Sequence, residues 1–354
     1  MSKRQKIKTL IGLAAGIPIV IFAGIVGAEF KPADIEKVQS HNNHPESVPV
    51  NTPVSLISWN IQFAGSRKHH FFYDGGQAVE VPREDVETTL QQIQDLLKKH
   101  SPDIALLQEI DRYSSRTQDI DQVEVLRHYR NDINWAVTPY HKAPYVPHPV
   151  HSHLKRVNLN LGILSRFSLN DATRHQLALL NEPRWRQYFN LKRAILDSSI
   201  PIENHSKENH SKDLRVAVTH LSAFSNGDGT LNKQVAQLKN WMRNQSPDQP
   251  WILAGDFNLL PPKDDPKRLG EDAALYADAI NPILELIPEF KVAFPNSLAP
   301  ESNTYIPFAA NQPDRKIDYI FYGGPIELHE AIVLTEAMEI SDHLPLKITF
   351  SITN

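Results

Sequence analysis

The sequence predicts an α/β domain that runs from about residue 54 to the C-terminus, and two observations favour this class. Short apolar runs alternate with segments whose apolar residues recur at helical spacing, which is typical of alternating strands and helices. The composition, 41% hydrophobic and 22% charged over 354 residues, is sufficient for one sizeable core with appended segments. We therefore expect a single large domain preceded by an N-terminal extension.

Charge and cysteine content narrow the function classes. The formal net charge of -4 gives no global electrostatic reason to expect nucleic-acid binding, although a local basic face is compatible with it. The chain contains no cysteine, which excludes disulfides, thiolate chemistry and Cys-based zinc sites.

The N-terminus carries an apolar segment. The basic residues Lys3, Arg4, Lys6 and Lys8 precede an uncharged stretch, residues 9–28 (TLIGLAAGIPIVIFAGIVGA), which is long enough to cross a bilayer once as a helix. This order predicts a cytoplasmic N-terminus and an extracytoplasmic remainder, either periplasmic or on the cell surface. Val26 and Ala28 also resemble the small residues before a signal-peptidase cut, and cleavage would release a secreted protein. Because the apolar run is long for a signal peptide, we favour an uncleaved transmembrane anchor over residues 1–28.

Residues 29–53 contain four prolines among polar residues and show no helical or strand period. This composition predicts a flexible linker between the anchor and a folded domain over residues 54–354.

Two parts of the domain share a strand, helix, strand layout. The first has strands at 54–60 and 103–109 with a helix at about 83–100, and the second has strands at 214–220 and 251–256 with a helix at about 231–244. The predicted buried faces of the two helices are Val86, Leu90, Ile93 and Leu97, and Leu231, Val235, Leu238 and Met242. The four strands end on Asn60, Glu109, His220 and Asp256. Since crossover connections bring such strand ends to one edge of a sheet, we expect a site there.

The stretch WILAGDFNLLPP, residues 251–262, places an acid and an amide two positions apart after Gly255. Residues spaced by two on a strand point the same way, so Asp256 and Asn258 could face one site. The alternative for such a pair in isolation is an ordinary turn or cap.

Near the C-terminus, RKIDYIFYG places Asp318 inside a predicted strand, and ISDHLPLKITF places Asp342 and His343 at the start of another. An acid in an apolar strand costs several kcal/mol unless it is paired. His343 is the natural partner, because a carboxylate on one imidazole nitrogen fixes the tautomer and raises the basicity of the other. A local cap formed by Ser-Asp-His is the alternative.

Two further segments are predicted insertions. Residues 137–153 hold four prolines and four histidines, and they could form a substrate-facing lid, a metal-binding tract or, as we favour, a surface loop. Residues 203–212 (ENHSKENHSK) contain a five-residue unit that occurs twice in succession. This polar repeat predicts a lengthened hairpin loop.

In chain order the motifs WNIQ, LLQEID, LGILSRF, VTHLS, GDFN, IDYIF and SDHLPL resemble those of the endonuclease/exonuclease/phosphatase superfamily of metal-dependent phosphoesterases. The resemblance spans about residues 54–352. Relatives include pancreatic deoxyribonuclease, abasic-site endonucleases, neutral sphingomyelinases and inositol polyphosphate 5-phosphatases. The resemblance implies a four-layered α/β sandwich in which two mixed β-sheets lie face to face with helices outside.

The resemblance also implies roles for single residues. Glu109 matches the principal Mg²⁺ ligand, with Asn60 and Asp342 near the same ion, and Mn²⁺ is a possible substitute. Asp256 and Asn258 match the pair that positions the attacking water and the phosphate, and His220 matches a hydrogen-bond donor to the phosphoryl or leaving group. His343, paired with Asp318, is our first choice as general base, and Asp256 is the alternative. Some relatives have Asp where this chain has Gln62, so tight binding of two metals is doubtful.

Together these features predict a membrane-tethered, extracytoplasmic Mg²⁺-dependent phosphodiesterase. The tether and the weak net charge favour a phospholipid or sphingomyelin-like head group over nucleic acid, and no obligate protein partner is evident. A surface or secreted nuclease is the first alternative. A non-catalytic surface-binding protein on the same fold is the second, and it is disfavoured because every ligand and base position is filled.

Overall fold

The computed structural model describes Gly24 and residues 27–203, 213–223, 227–276, 281–287, 289–294 and 299–353. Nearly all of the predicted membrane segment and of the repeat at 203–212 lie outside these residues. Within the part of the chain that is described, no helix combines the length and apolar character needed to cross a bilayer.

The chain forms two seven-stranded sheets. Sheet I has the order β1-β7-β8-β9-β10-β12-β11, and its strands are β1 (Ile35–Lys37), β7 (Asn170–Gln176), β8 (Ala194–Ile200), β9 (Leu214–His220), β10 (Trp251–Asp256), β11 (Lys291–Val292) and β12 (Asp318–Gly323). Sheet II has the order β13-β14-β3-β4-β6-β5-β2, and its strands are β2 (Ser40–His41), β3 (Val54–Asn60), β4 (Ile104–Asp111), β5 (Asn134–Val146), β6 (Lys155–Ser165), β13 (Ile326–Val333) and β14 (Leu346–Ile352).

Both sheets are mixed, because each contains one parallel pair among antiparallel neighbours. The parallel pairs are β3 with β4 and β9 with β10. The α-helices of the described residues are α1 (Arg83–His100), α2 (Gln122–Leu126), α3 (Arg184–Gln187) and α4 (Thr230–Arg243). Helix α1 connects β3 to β4, and α4 connects β9 to β10. The two predicted strand, helix, strand units are therefore confirmed.

Successive side chains along the strands of sheet I point to opposite faces of the sheet, and both faces are buried. Val216, Val218, Ile252 and Ala254 pack in the large apolar cluster shared with sheet II. The alternate positions, which include Ala217 and Leu253, pack against the apolar face of α4. All eight residues predicted to face the core from the two long helices are buried. Sheet I is thus covered by sheet II on one face and by a helix on the other.

The prediction of a flexible linker over residues 29–53 is corrected by the structure. Ile35–Lys37 pairs with β7 as an edge strand of sheet I, and Ser40–His41 pairs with β5 at the edge of sheet II. Val48 is fully buried and forms a β-bridge with Ile202. Strands of two or three residues are too short to show the alternation of polar and apolar residues that identifies a strand in a sequence. The prolines around them also suggest irregular structure. The segment belongs to the folded domain.

Three local predictions also change. Most of the segment at 137–153 is not a loop, because strand β5 extends to Val146 and forms a long hairpin with β6. Asp318 is the first residue of β12 rather than an interior one. Asp342 and His343 precede β14, which begins at Leu346. Proline tolerates edge and irregular strand positions, so proline content alone misplaces such boundaries.

Candidate active site

The site lies where the carboxyl ends of the two parallel pairs meet. In sheet I, Asp256 is opposite both His220 and Asp318, and in sheet II, Asn60 is opposite Gln108, next to Glu109. The amide of Asn60 connects the sheets, because its Nδ2 donates to Glu109 Oε1 at 3.2 Å and to Asp256 Oδ2 at 3.1 Å. The four predicted residues are therefore in contact across the sandwich, although Glu109 does not end its strand, because β4 continues to Asp111.

The backbone at two of these ends is unusual. Gly255 has φ +149°, and a Cβ there would lie 1.9 Å from the backbone oxygen of Thr219. Only glycine fits this close approach of β10 to β9. Glu109 has φ 59° beside a register shift between β4 and β6. A non-glycine residue in the left-handed region within a strand is rare, and such strain is common at functional sites.

Asp256 lies within reach of both histidines of the site. Its Oδ1 accepts the backbone N–H of Asn258 at 2.9 Å, and its Oδ2 lies 3.2 Å from His220 Nε2 and 3.6 Å from His343 Nε2. The carboxyl is almost completely buried. Burial raises its pKa to about 7, with a further upward contribution from Asp318 that opposes the effect of His343. Asp256 can therefore exchange a proton near neutral pH.

His343 and Asp318 form a buried pair. His343 Nδ1 lies 2.9 Å from Asp318 Oδ2, which also accepts the Thr304 hydroxyl at 2.6 Å. The backbone oxygen of His343 accepts Trp59 Nε1 at 2.8 Å. Burial alone would lower the pKa of His343, but the nearby carboxylates, first Asp318 and then Asp256, outweigh it and raise that pKa well above its ordinary value. His343 is consequently an imidazolium at neutral pH, with Nε2–H directed toward Asp256.

His220 has the opposite character. Its Nδ1 lies 3.2 Å from the hydroxyl of Tyr140, a fully buried side chain. Burial, together with the charges of Arg193 and His343, lowers the pKa of His220 well below its ordinary value. The ring is therefore neutral. The arrangement is satisfied when Tyr140 O–H donates to Nδ1 and Nε2–H donates to Asp256.

Asp342 lies beside the residues that follow β3. Its backbone N–H donates to Gln62 Oε1 at 3.3 Å, and Ser341 donates to the backbone oxygen of Asn60 at 2.9 Å. Burial raises the pKa of Asp342 to about 7, and the charge of Glu109 adds to the increase. The carboxyl groups of Glu109 and Asp342 are therefore close enough to interact.

A family model described as "Endonuclease/Exonuclease/phosphatase family" matches residues 57–343. The chain belongs to this family. Its members are metal-dependent phosphoesterases or nucleases, and the predicted sandwich of two mixed sheets is confirmed. No curated protein is similar enough in sequence to match this chain.

Solved structures show the same fold at low identity. An endonuclease/exonuclease/phosphatase from Beutenbergia cavernae DSM 12333 superposes with a TM-score of 0.59 at 17% identity, covering 85% of this chain and 72% of that one. The human Nocturnin catalytic domain gives 0.52 at 18% identity, with 89% and 97% covered. A humanized D. rerio TDP2 gives 0.52 at 15% identity, with 84% and 98% covered. At such identities the likeness concerns the fold alone.

Members of this family depend on divalent metals, and the residues predicted to hold one fit a hard cation. Glu109 and Asp342 supply carboxylate oxygens, and their mutual repulsion is what a cation between them would relieve. Asn60 currently turns its amide nitrogen to Glu109. It would serve as a ligand only after a half-turn of the amide presents its oxygen instead.

A second set of possible ligand atoms belongs to Asp256, Asp318 and His343, which lie within 4.8 Å of one another. Here the His343 nitrogen that faces Asp318 is already hydrogen-bonded to it at 2.9 Å. A protonated imidazole cannot ligate a metal. This cluster is better suited to proton transfer and anion binding than to holding a cation.

Asn258 departs from its predicted geometry. Strand β10 ends at Asp256, and Asn258 lies beyond it with φ 51°. Its amide nitrogen donates to the backbone oxygen of Leu221 at 3.1 Å. Residues two apart point the same way only within a strand, so the prediction that Asp256 and Asn258 share a face does not hold beyond the end of β10. Asn258 still contacts Asp256 through its backbone N–H.

The sequence analysis missed several residues that shape the site. Tyr140 orients His220, and Thr304 supports Asp318. Tyr305 packs its ring edge-on against His343, with centroids 5.1 Å apart. Arg193 places its guanidinium carbon 5.1 Å from the centre of the Tyr140 ring. No motif contains these residues, because they come from strands and loops distant in sequence. Tyr140 lies within residues 137–153, which we predicted as a surface loop, so the sequence did not indicate its place beside His220.

A pocket opens beside Asp342. It is small, with room for about one water molecule, and is lined by Gln62, Arg67, His69, Phe71, Tyr73, Asp74, Phe308 and Asp342. The Arg67 guanidinium is engaged by three backbone oxygens, those of Met338, Pro307 and Ala310. The rings are largely packed against protein, because Phe71 is buried and Phe308 stacks on His70 at 4.0 Å. The carboxylates of this lining disfavour an anion.

Proposed function

We propose that the protein is a Mg²⁺-dependent phosphodiesterase. The observation that carries the proposal is the Asn60 amide, which joins Glu109 of one sheet to Asp256 of the other and so places a metal ligand beside a proton-transfer group. A cation on a non-bridging oxygen, a base for water and donors for developing charge are what hydrolysis of an anionic diester requires. The cation, held by Glu109, Asp342 and Asn60, would polarise the phosphoryl group.

Asp256 is our proposed general base, which is the alternative that the sequence left open. The imidazolium of His343 already carries both ring protons, so it cannot accept another from water. Asp256 has a pKa of about 7 and is thus basic enough to accept one. His343 Nε2–H then donates to the phosphoryl oxygens as their charge develops. His220 and Asn60 hold the Asp256 carboxylate in place.

The proposed substrate is a lipid head group, and a membrane tether supports it. The apolar stretch at residues 9–28 is long enough to span a bilayer. Its last residue, Ala28, lines a groove with Lys31 and Lys142. These two ammonium groups can bind the phosphate of a lipid head group. A tethered domain in this setting would be extracytoplasmic, as the basic residues before the apolar stretch indicate.

A nuclease is the second candidate, because members of this family are metal-dependent phosphoesterases or nucleases. A non-catalytic role is disfavoured, because buried carboxyl groups with pKa values near 7 are costly to maintain and are typical of active sites.

A substrate panel separates these candidates. The full chain, in detergent with Mg²⁺, is incubated with phosphatidylcholine, phosphatidylinositol and sphingomyelin micelles and with single- and double-stranded DNA and RNA. We expect Mg²⁺-dependent release of phosphorylated head groups and little cleavage of nucleic acid. Asp256→Asn, a nearly isosteric variant, is the control and should be inactive on every substrate. Cleavage of nucleic acid alone would replace the lipid proposal with the nuclease.

The tether has its own test. Intact-mass measurement of the native protein from membranes should show a chain that begins near its encoded N-terminus. A soluble chain that begins at Glu29 would show that residues 1–28 are a cleaved signal.

A further inference from the structure

Arg193, which immediately precedes β8, is a buried cation without a counterion in the described structure. Its residue is 8% exposed, and its Nη1 atom is fully buried with no hydrogen-bond partner. Other buried arginines have an acidic neighbour. Arg116 pairs with Asp111 at 2.8 Å, and Arg315 pairs with Asp314 and Asp272 at 2.7 Å. Arg174 also leaves its Nη1 without a partner, but its Nε lies 3.9 Å from Glu36. Among the residues that the structure describes, no carboxylate forms such a pair with Arg193.

The location of Arg193 connects it to the active site. Its guanidinium carbon lies 5.1 Å from the centre of the Tyr140 ring, and the Tyr140 hydroxyl contacts His220. After burial, the Arg193 charge is the largest contribution to the lowered pKa of His220. Arg193 therefore lies on the His220 side of Asp256. The aromatic pocket opens on the side of Asp342.

Folding alone does not explain this arrangement. A buried charge is expensive unless it is paired, and the face of one tyrosine ring offsets only part of that cost. An anion that enters with the substrate would provide the missing partner. A guanidinium is suited to this purpose, because its planar fork donates two parallel hydrogen bonds to a phosphate.

We propose that Arg193 binds a second phosphate of the substrate, carried by the substituent that lies on the His220 side of the scissile diester. This inference rests on the proposed phosphodiesterase function and narrows its substrate class. The pocket beside Asp342 is a poorer place for it, because Asp74 and Asp342 line that pocket and repel anions. A phosphorylated head group has this chemistry.

The kinetic test uses two chromogenic diesters with the full chain. They are the 4-nitrophenyl ester of thymidine 5′-phosphate and the same ester with an added 3′-phosphate. The wild type should prefer the 3′-phosphorylated ester by roughly tenfold or more in kcat/KM, the size of effect typical of one charge-assisted bond. In Arg193→Gln this preference should disappear, mainly because KM rises for the 3′-phosphorylated ester and not for the other. Arg193→Lys, which keeps the charge, should retain part of it.

Arg243→Gln is the matched control. Arg243 is exposed and paired with Glu289 at 2.6 Å on the protein surface, so its loss should leave the preference intact. Two outcomes would overturn the proposal. One is a wild type without preference between the esters. The other is an Arg193→Gln variant that loses kcat equally on both, which would show that the residue only supports Tyr140 and His220.

A binding measurement separates this inference from the proposed function. Thermal unfolding is followed in EDTA with and without inorganic phosphate. Without phosphate, Arg193→Gln should have a Tm equal to or above that of the wild type, because it removes an unpaired buried charge. Phosphate should raise the Tm of the wild type and have less effect on the variant. If neither ester is hydrolysed but this difference holds, the catalytic proposal fails and the anion site stands. A lower Tm in the variant with an unchanged phosphate effect would contradict the anion site.

Discussion

Asp318→Asn tests the protonation states assigned to the site. The substitution removes one negative charge 2.9 Å from His343 Nδ1 and leaves the shape of the side chain intact. The atom that accepts from His343 also accepts from Thr304, and the Asn oxygen can occupy that position and accept from both. The variant should therefore fold and keep the geometry of the imidazole.

The magnitude follows from the lost charge. A hydrogen bond to a charged partner contributes about 1.5–3 kcal/mol and one to a neutral partner about 0.5–1.5 kcal/mol, so the lost charge is worth about 1–1.5 kcal/mol. The pKa of His343, which the carboxylates hold well above its ordinary value, should therefore fall. Because His343 acts as the charged form, activity disappears where that form loses its proton. The alkaline limb of the kcat/KM profile should move to lower pH by about one pH unit.

The assay is the pH dependence of kcat/KM for a chromogenic phosphodiester between pH 5 and 10. In the acid limb, which reports protonation of Asp256, a small downward shift is expected because the charge of Asp318 contributes to its raised pKa. If His343 were the base, it would act neutral. Its lower pKa would then extend activity to more acidic pH and leave the alkaline limb in place. That result would refute the role assigned to Asp256.

Three further predictions follow from the geometry. Glu109→Gln should raise the Mg²⁺ concentration needed for half-maximal rate by an order of magnitude or more, measured by metal titration, because one formal charge leaves the ion's shell; an unchanged titration would remove Glu109 from the metal site. Gly255→Ala should lower the free energy of unfolding in urea by about 2 kcal/mol or more, since the added Cβ meets the Thr219 oxygen at 1.9 Å; wild-type stability would show that the strands can separate there. Tyr140→Phe should reduce kcat by up to about tenfold with an unchanged Mg²⁺ titration, because His220 loses the donor that sets its tautomer; a full rate would show that His220 needs no such support.

The strand ends could be predicted from the sequence because their period and polar termini are local signals. Asn60, His220 and Asp256 each end a strand at the predicted residue. The pairing of Asp318 with His343 followed from the cost of burying a lone acid, and the structure shows the two in contact. These are arguments that need only the neighbouring residues and the cost of burial.

The other features of the site could not be predicted from the sequence, because they depend on tertiary structure. The charge state of His343 is set by three carboxylates that the fold brings together from distant segments, so the sequence could suggest a His–Asp pair but not whether it carries a proton. The same holds for Arg193, which no motif singles out and which stands apart because no carboxylate of the described residues pairs with it. The pairing of Ile35–Lys37 at the edge of sheet I could not be predicted either. It is formed by backbone hydrogen bonds, which every sequence can make.

The central claim is that these residues perform metal-dependent hydrolysis of a phosphodiester. The most direct measurement is the initial rate at which the full chain hydrolyses a 4-nitrophenyl phosphodiester, with Mg²⁺ and with excess EDTA, beside Asp256→Asn. We predict a rate that requires Mg²⁺ and that falls by about 10²-fold or more in the variant. A rate that is insensitive to EDTA, or that Asp256→Asn retains, would contradict the account.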